Sequence, residues 1–294
     1  MSVWQGLTVA FVGGDARETE MAVLASQEGA LVRVFGAAHP PGEQRLRPSS
    51  SLSEALAQAR VAIMPVPLIA QDGSIYAPHA PAKIIIETSH LEAMAADGHV
   101  VIGKANARLE ASARAAGVTI HEYESDTELM LLRAPAIAEG AVGVAIERSP
   151  VTIHNTDIGV VGFGRIGQVL TRALLALGAR VHVFARRAEA RAAAYALAAT
   201  PHALEEASEA FATLEVLYST VPAHVGSREL LACLPRGALV VDLAAPPGSI
   251  DLEAAADLGL DGFWARGLGA SAPRTVGRSQ WSGVTRIIEA ALAR

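Results

Sequence analysis

Short apolar runs recur along the chain, each followed by a Gly- or Pro-rich turn and then by apolar positions spaced three and four apart. The first run covers residues 7–12. It leads into Gly13-Gly14-Asp15, a helical pattern to about residue 27, Gly29, and a second apolar run at 31–35. Such runs bounded by turn residues read as strands, and the 3.6-residue period reads as helix. Residues 36–53, rich in Pro, Gly and Ser, predict a loop. A short helix over 53–59 and a strand over 61–64, stopped by Pro65 and Pro67, follow it. Residues 83–87 and 99–102 predict further strands, 106–116 a helix, and 118–121 a last strand before Glu124-Ser125-Asp126.

A long helical pattern from Asp126 to about Glu147 ends at Ser149-Pro150, and the alternation then starts again. Strands are expected at 157–161, 180–184, 216–219, 239–242 and 262–264, with helices over 166–177, 188–199 and 228–232 and a closing helix over 276–293. Strands alternating with helices imply parallel sheets covered on both faces. The chain is therefore expected to be α/β, with a substrate domain of residues 1–126 plus 277–294 and a nucleotide domain of 127–276 that includes the linking helix 127–148. The closing helix, with no strand after it, is expected to return to the first domain.

Gly162-Phe163-Gly164-Arg165-Ile166-Gly167 stands between an apolar strand and an amphipathic helix, which is where a G-x-G-x-x-G motif holds a dinucleotide pyrophosphate. The first glycine makes the turn, the second lets backbone approach the phosphates, and the third lets the helix sit close on its strand. Both domains thus read as Rossmann-like, doubly wound sheets. The next strand ends in Ala185-Arg186-Arg187 rather than in an acid that would accept the ribose hydroxyls. A guanidinium there meets a 2′-phosphate, so Arg186 and Arg187 favour NADP over NAD. Later loops are candidates for the same cofactor: Thr220-Val221-Pro222, which would border the nicotinamide ribose, and Asp242-Leu243-Ala244. Each also reads as an ordinary turn. Gly13-Gly14-Asp15-Ala16-Arg17 lacks the third glycine and is not a second dinucleotide site. There Asp15 is either an N-cap or part of a substrate site in which helix amides and Arg17 bind a carboxylate. Asn106, Glu124, Ser125, Asp126 and Glu139 stand near element ends that could share that site.

Composition narrows the function classes. With 294 residues, 51% hydrophobic and 18% charged, the chain has material for two cores, and its net charge of −6 provides no basic field for nucleic acid. One cysteine, Cys233, excludes an internal disulfide and suits a reducing compartment. The apolar stretch 129–146 is interrupted by Arg133, Pro135 and Glu139 and reads as a buried helix rather than a membrane span. The start of the chain lacks signal-peptide character, so the cytoplasm is expected.

These motifs together resemble the dipicolinate synthase A-subunit family of spore-forming bacteria. The resemblance is carried by residues 12–17, Glu139-Gly140, 162–167 with Arg186, 220–222, Asp242-Leu243-Ala244 with Pro247-Gly248, and Gly267-Leu268 with Ala272-Pro273. It implies a hydroxyacid-dehydrogenase-like arrangement with linking helices, and oxidation of the cyclic imine dihydrodipicolinate to pyridine-2,6-dicarboxylate with NADP⁺ as hydride acceptor. It also implies a partner, the flavoprotein-like B-subunit of dipicolinate synthase, and a place in the mother cell during sporulation; a homo-oligomer is compatible with it. Asp15, Arg17, Asn106, Ser125 and Glu139 are the candidate substrate residues, Arg17 binding one ring carboxylate. The chain departs from the family pattern at Arg133-Ala134-Pro135-Ala136-Ile137, where an Asn-x-Ile-Pro-Thr run is usual, and Arg133 there is either a carboxylate ligand or a surface charge. Two alternatives stay open. One is an oxidoreductase like the D-2-hydroxyacid dehydrogenases, although the last histidine, His224, leaves no late histidine for an acid–base role. The other is a non-catalytic NADP-binding protein that regulates a partner enzyme.

Overall fold

The computed structural model describes residues 2–38, 43–124 and 126–293. The chain forms two compact units, Met1–Arg133 with Ala272–Arg294, and Ala134–Ser271.

The first unit runs β1 (Thr8–Val12), α1 (Ala16–Gln27), β2 (Leu31–Phe35), β3 (Leu46–Pro48), α2 (Leu52–Leu56), β4 (Val61–Ile63), β5 (Ser74–Ile75), β6 (Ile84–Ile85), α3 (Thr88–Glu92), β7 (His99–Ile102), α4 (Ala107–Ala115) and β8 (Thr119–Glu122). Its parallel sheet has the order β3-β2-β1-β4-β7-β8. Side chains alternate across a strand, so Val9 and Phe11 of β1 enter one core and Ala10 and Val12 the other. Apolar runs without alternation are what a sheet covered on both faces requires.

The helix α5 (Thr127–Arg148) carries the chain into the second unit, and the boundary between units, at Arg133 and Ala134, lies within a turn of Pro135. Among the described residues it is the one helix long and apolar enough to cross a membrane by length and composition. Ala138, Ala141, Val142 and Ala145 of this helix are buried in the second unit's core. That unit continues β9 (Asp157–Val161), α6 (Arg165–Ala176), β10 (Arg180–Phe184), α7 (Ala188–Ala196), β11 (Thr200–His202), α8 (Ala207–Phe211), β12 (Val216–Ser219), α9 (Arg228–Leu231), β13 (Leu239–Asp242), α10 (Leu252–Asp257) and β14 (Asp261–Trp264). Its sheet order, β11-β10-β9-β12-β13-β14, repeats the first, and all its pairs are parallel. In both sheets the order reverses beside the first strand, leaving a crevice at the strands' carboxyl ends where such sheets bind ligands.

The last helix, α11 (Pro273–Leu292), begins earlier than its apolar period suggests because Pro273 takes the first helical position, where its fixed φ and missing N–H do no harm. It packs on α1 within the first unit. The Trp281 ring lies tilted at 35° against Trp4 with centroids 4.5 Å apart, and its indole N–H donates to Glu28 Oε1 at 2.6 Å.

Several expectations need correction. Residues 83–87 do not join the parallel sheet; only Ile84–Ile85 is extended, and it pairs antiparallel with Ser74–Ile75. The stretch 36–53 contains β3, and a second strand the sequence did not suggest is β11. Both are three-residue edge strands containing proline, whose missing N–H is tolerated at a sheet edge but whose sequence shows no apolar run.

Candidate functional site

The β9–α6 turn shows each fingerprint glycine in a separate role. Gly162 has φ +97°, a left-handed conformation that side chains resist, and a Cβ there would stand 2.6 Å from Thr220 Oγ1. A Cβ on Gly167 would lie 2.3 Å from Gly162 O, so this glycine lets α6 sit directly on its strand. Nothing lies within 4 Å of where a Cβ on Gly164 would be, so the space in front of the second glycine is open. Gly164 is also the N-cap of α6 and offers no side-chain cap. First-turn amides and the positive end of the helix dipole therefore face a free position suited to an anion.

A cavity of about 670 Å³ opens beside this turn. Gly162, Gly164, Arg186, Arg187 and Val221 line it, as do residues the sequence reading missed: Phe163, Phe184, Ala185, Ala190, Leu204, Ala223, His224 and Val225. Its lining contains no carboxylate, and neither Arg186 nor Arg187 has an ion-pair partner among the described residues. Leu204 was hidden because it follows β11, and His224 because the loop beyond Pro222 carries no motif.

The other expected cofactor residues divide. Arg165 and Ile166 open α6, with Arg165 exposed. The Thr220 hydroxyl donates to Val161 O at 3.1 Å, tying the loop to β9, and Pro222 is exposed in the same loop. Asp242 is hydrogen-bonded within its own loop. Only 1% exposed, it accepts hydrogen bonds from Ala244 N, Ser249 N, Ile250 N and Ser249 Oγ at 2.6–3.1 Å. A carboxylate at the end of a buried strand has no solvent to satisfy it, and the amides of its own following loop do so instead. Leu243 and Ala244 are held in this loop, Leu243 N donating to Ser219 O and Ala244 O accepting from the Trp264 indole.

The corresponding turn in the first unit is closed by protein. Gly13 N donates to Phe35 O, Gly14 N to Tyr76 O, and Asp15 N to Glu18 Oε2. Asp15 caps α1 by accepting from Arg17 N at 3.0 Å, and its carboxylate also takes Arg17 Nε and Nη2, each at 2.8 Å. Arg17 is 6% exposed, so it is neither a solvated first-turn residue nor a free fork; Nη1 is the guanidinium nitrogen that Asp15 leaves. Burial pushes the Asp15 carboxyl up, but the hydrogen bonds and charge of Arg17 outweigh it and hold it below the usual range. In Glu18 burial wins, and the carboxyl is pushed up.

Comparison with known proteins supplies the decisive observation. Residues 8–124 match the model of the dipicolinate synthase A-subunit N-terminal domain. Residues 137–248 match the NAD-binding domain of D-isomer specific 2-hydroxyacid dehydrogenases. The dipicolinate synthase A-subunit of Bacillus subtilis is 27% identical over 276 residues, 93% of each chain. Residues 8–124 thus match this family's N-terminal domain, and the chain is similar to dipicolinate synthase A-subunits over nearly its whole length. Crystal structures agree in fold: the family member from Bacillus halodurans superposes with a TM-score of 0.88 at 24% identity, covering 97% of this chain and 98% of that one. The Bacillus subtilis protein gives 0.85 at 25% identity, covering 98% of each. The second unit is thus a dehydrogenase-type domain for a nicotinamide cofactor.

The candidate substrate residues fall in both units. Asp15, Arg17 and Asn106 belong to the first and Glu139 to the second, while Ser125 lies outside the described residues. Asn106 caps α4, its Oδ1 accepting from Leu109 N at 2.9 Å, which leaves its amide nitrogen for another partner. Glu139 is exposed on α5. Glu124 lies in the turn after β8, and Asp126 is engaged with Arg286 of α11. Arg133 is 7% exposed, so it is not a surface charge.

Proposed function

We propose that this chain oxidises dihydrodipicolinate to dipicolinate, the ring losing a hydride to NADP⁺ and a proton to the medium or a base. One observation carries the reading: a glycine-turn cavity with open space at Gly164, two arginines without ion-pair partners among the described residues, and no carboxylate in the lining, in a chain similar to this family over nearly its whole length. Bound there, NADP⁺ supplies the hydride acceptor. The α6 amides and Gly164 would hold its pyrophosphate, and Arg186 and Arg187 its 2′-phosphate. Thr220 and Val221 would border the nicotinamide ribose.

On the substrate side, Arg17 reads one ring carboxylate through Nη1 while Asp15 fixes the guanidinium plane. Asn106, also in the first unit, is a further candidate for the substrate. Because the product ring is aromatic, orientation of the two carboxylates does most of what the reaction requires. The flavoprotein-like B-subunit is the proposed partner, supported by the relatives' name, which marks them as one part of a larger synthase.

The test is an assay of purified protein with freshly generated dihydrodipicolinate and either NADP⁺ or NAD⁺, following nucleotide reduction and product absorbance, with and without the flavoprotein-like partner. Turnover with NADP⁺ preferred is expected. Arg186→Ala should weaken NADP⁺ binding by about 1.5–3 kcal/mol and leave NAD⁺ binding nearly unchanged, since only NADP⁺ brings a phosphate to the guanidinium. Tight nucleotide binding without turnover in either condition would favour a regulatory role.

A further inference from the structure

The cavity beside the glycine turn takes basic side chains from two loops. Arg186 and Arg187 come from the β10–α7 turn, and His224 from the loop after β12. The remaining contributors bring no charge: the Gly162–Gly164 turn supplies backbone and Phe163, and the segment after β11 supplies Leu204. Glu189 of α7 and Glu205 and Glu206 beyond Leu204 stay outside the lining. In a chain of net charge −6, a cavity whose ionisable lining residues are two arginines and an exposed histidine is selected for an anion.

We propose that His224 is a specificity residue: as imidazolium it binds the adenosine 2′-phosphate from the side opposite Arg186 and Arg187, so that preference for NADP over NAD strengthens as the imidazole gains its proton. This rests on the reading that the cavity takes a nicotinamide dinucleotide. Histidine is the side chain type that can gain or lose a proton within the physiological pH range, whereas arginine keeps its charge. The phosphate itself loses charge below about pH 6, which opposes the effect, so the comparison must be between variant and wild type at the same pH.

The experiment is calorimetric titration of the whole protein with adenosine 2′,5′-bisphosphate and with AMP at pH 6 and pH 8.5, using wild type, His224→Gln, His224→Lys and Arg186→Ala. His224→Gln should lose about 5-fold in affinity for the bisphosphate at pH 6, less than about 2-fold at pH 8.5, and nothing for AMP at either pH. His224→Lys should bind the bisphosphate at pH 8.5 at least as well as wild type, because it restores the cation. Equal losses at both pH values, a matching loss for AMP, or no loss would each overturn the proposal. If Arg186→Ala abolishes discrimination while His224→Gln does not, only the histidine's role fails. If wild type binds neither ligand, the dinucleotide reading fails with it.

Discussion

Gly164 and Gly167 are the same residue three positions apart, and what surrounds them separates a binding role from a packing role. A Cβ on Gly167 collides with backbone, so Gly167→Ala should destabilise the protein by about 1–3 kcal/mol, read from its denaturation midpoint. A Cβ on Gly164 meets no protein atom, so Gly164→Ala should leave that midpoint within about 0.5 kcal/mol and weaken dinucleotide binding instead. Equal effects on stability would refute the distinction. Glu18 supplies a pH-dependent case. Its Oε2 accepts from Asp15 N, Oε1 is buried without a partner among the described residues, and burial pushes its carboxyl up. An acid whose folded value lies above its unfolded one contributes stability below the unfolded value, and that contribution is lost as pH rises through the folded value. Glu18→Gln, neutral at every pH, should therefore raise the melting temperature near pH 7.5, with the gain vanishing toward pH 4. A gain that is independent of pH would argue against burial as the cause.

At the scale of elements, α11 belongs to the core of the first unit although it is the last segment of the chain. Val276, Gly277, Gln280, Trp281, Val284 and Ile288 form its buried stripe, and a Cβ on Gly277 would stand 2.8 Å from Arg17 O. Trp281→Ala should cost about 3–5 kcal/mol by loss of ring contacts and of the bond to Glu28, measured by urea unfolding. Less than about 1 kcal/mol would mean that α11 is a peripheral appendage. The amphipathic period of this helix was legible in the chain, as were α6 and the strands that bury apolar runs. The short edge strands β3 and β11 were not, because an edge strand is fixed by its neighbour's hydrogen bonds rather than by its own hydrophobicity.

For the whole molecule, each unit has its own sheet and its own pair of cores. The cavity lies entirely in the second unit, so NADP⁺ at about 100 times its Kd should stabilise that unit by about 2.7 kcal/mol. Hydrogen exchange should slow in β9, α6 and the β10–α7 turn and stay unchanged in β1, β2 and β4. Uniform protection of both units would contradict this. The amino-acid sequence by itself determined the αβ alternation, the glycine turn and the arginines after β10, because periodicity and motif spacing are local and survive without tertiary context. Only the tertiary structure decided that Asp15 holds Arg17, that Asp242 is hydrogen-bonded by its own loop, and that His224 shares a cavity with Arg186. Charged groups take their roles from burial and from whichever loops meet at the carboxyl edge of a sheet. Arg186 and His224 are separated in the chain by α7, β11, α8 and β12, and they share one cavity because strand order brings β12 beside β9.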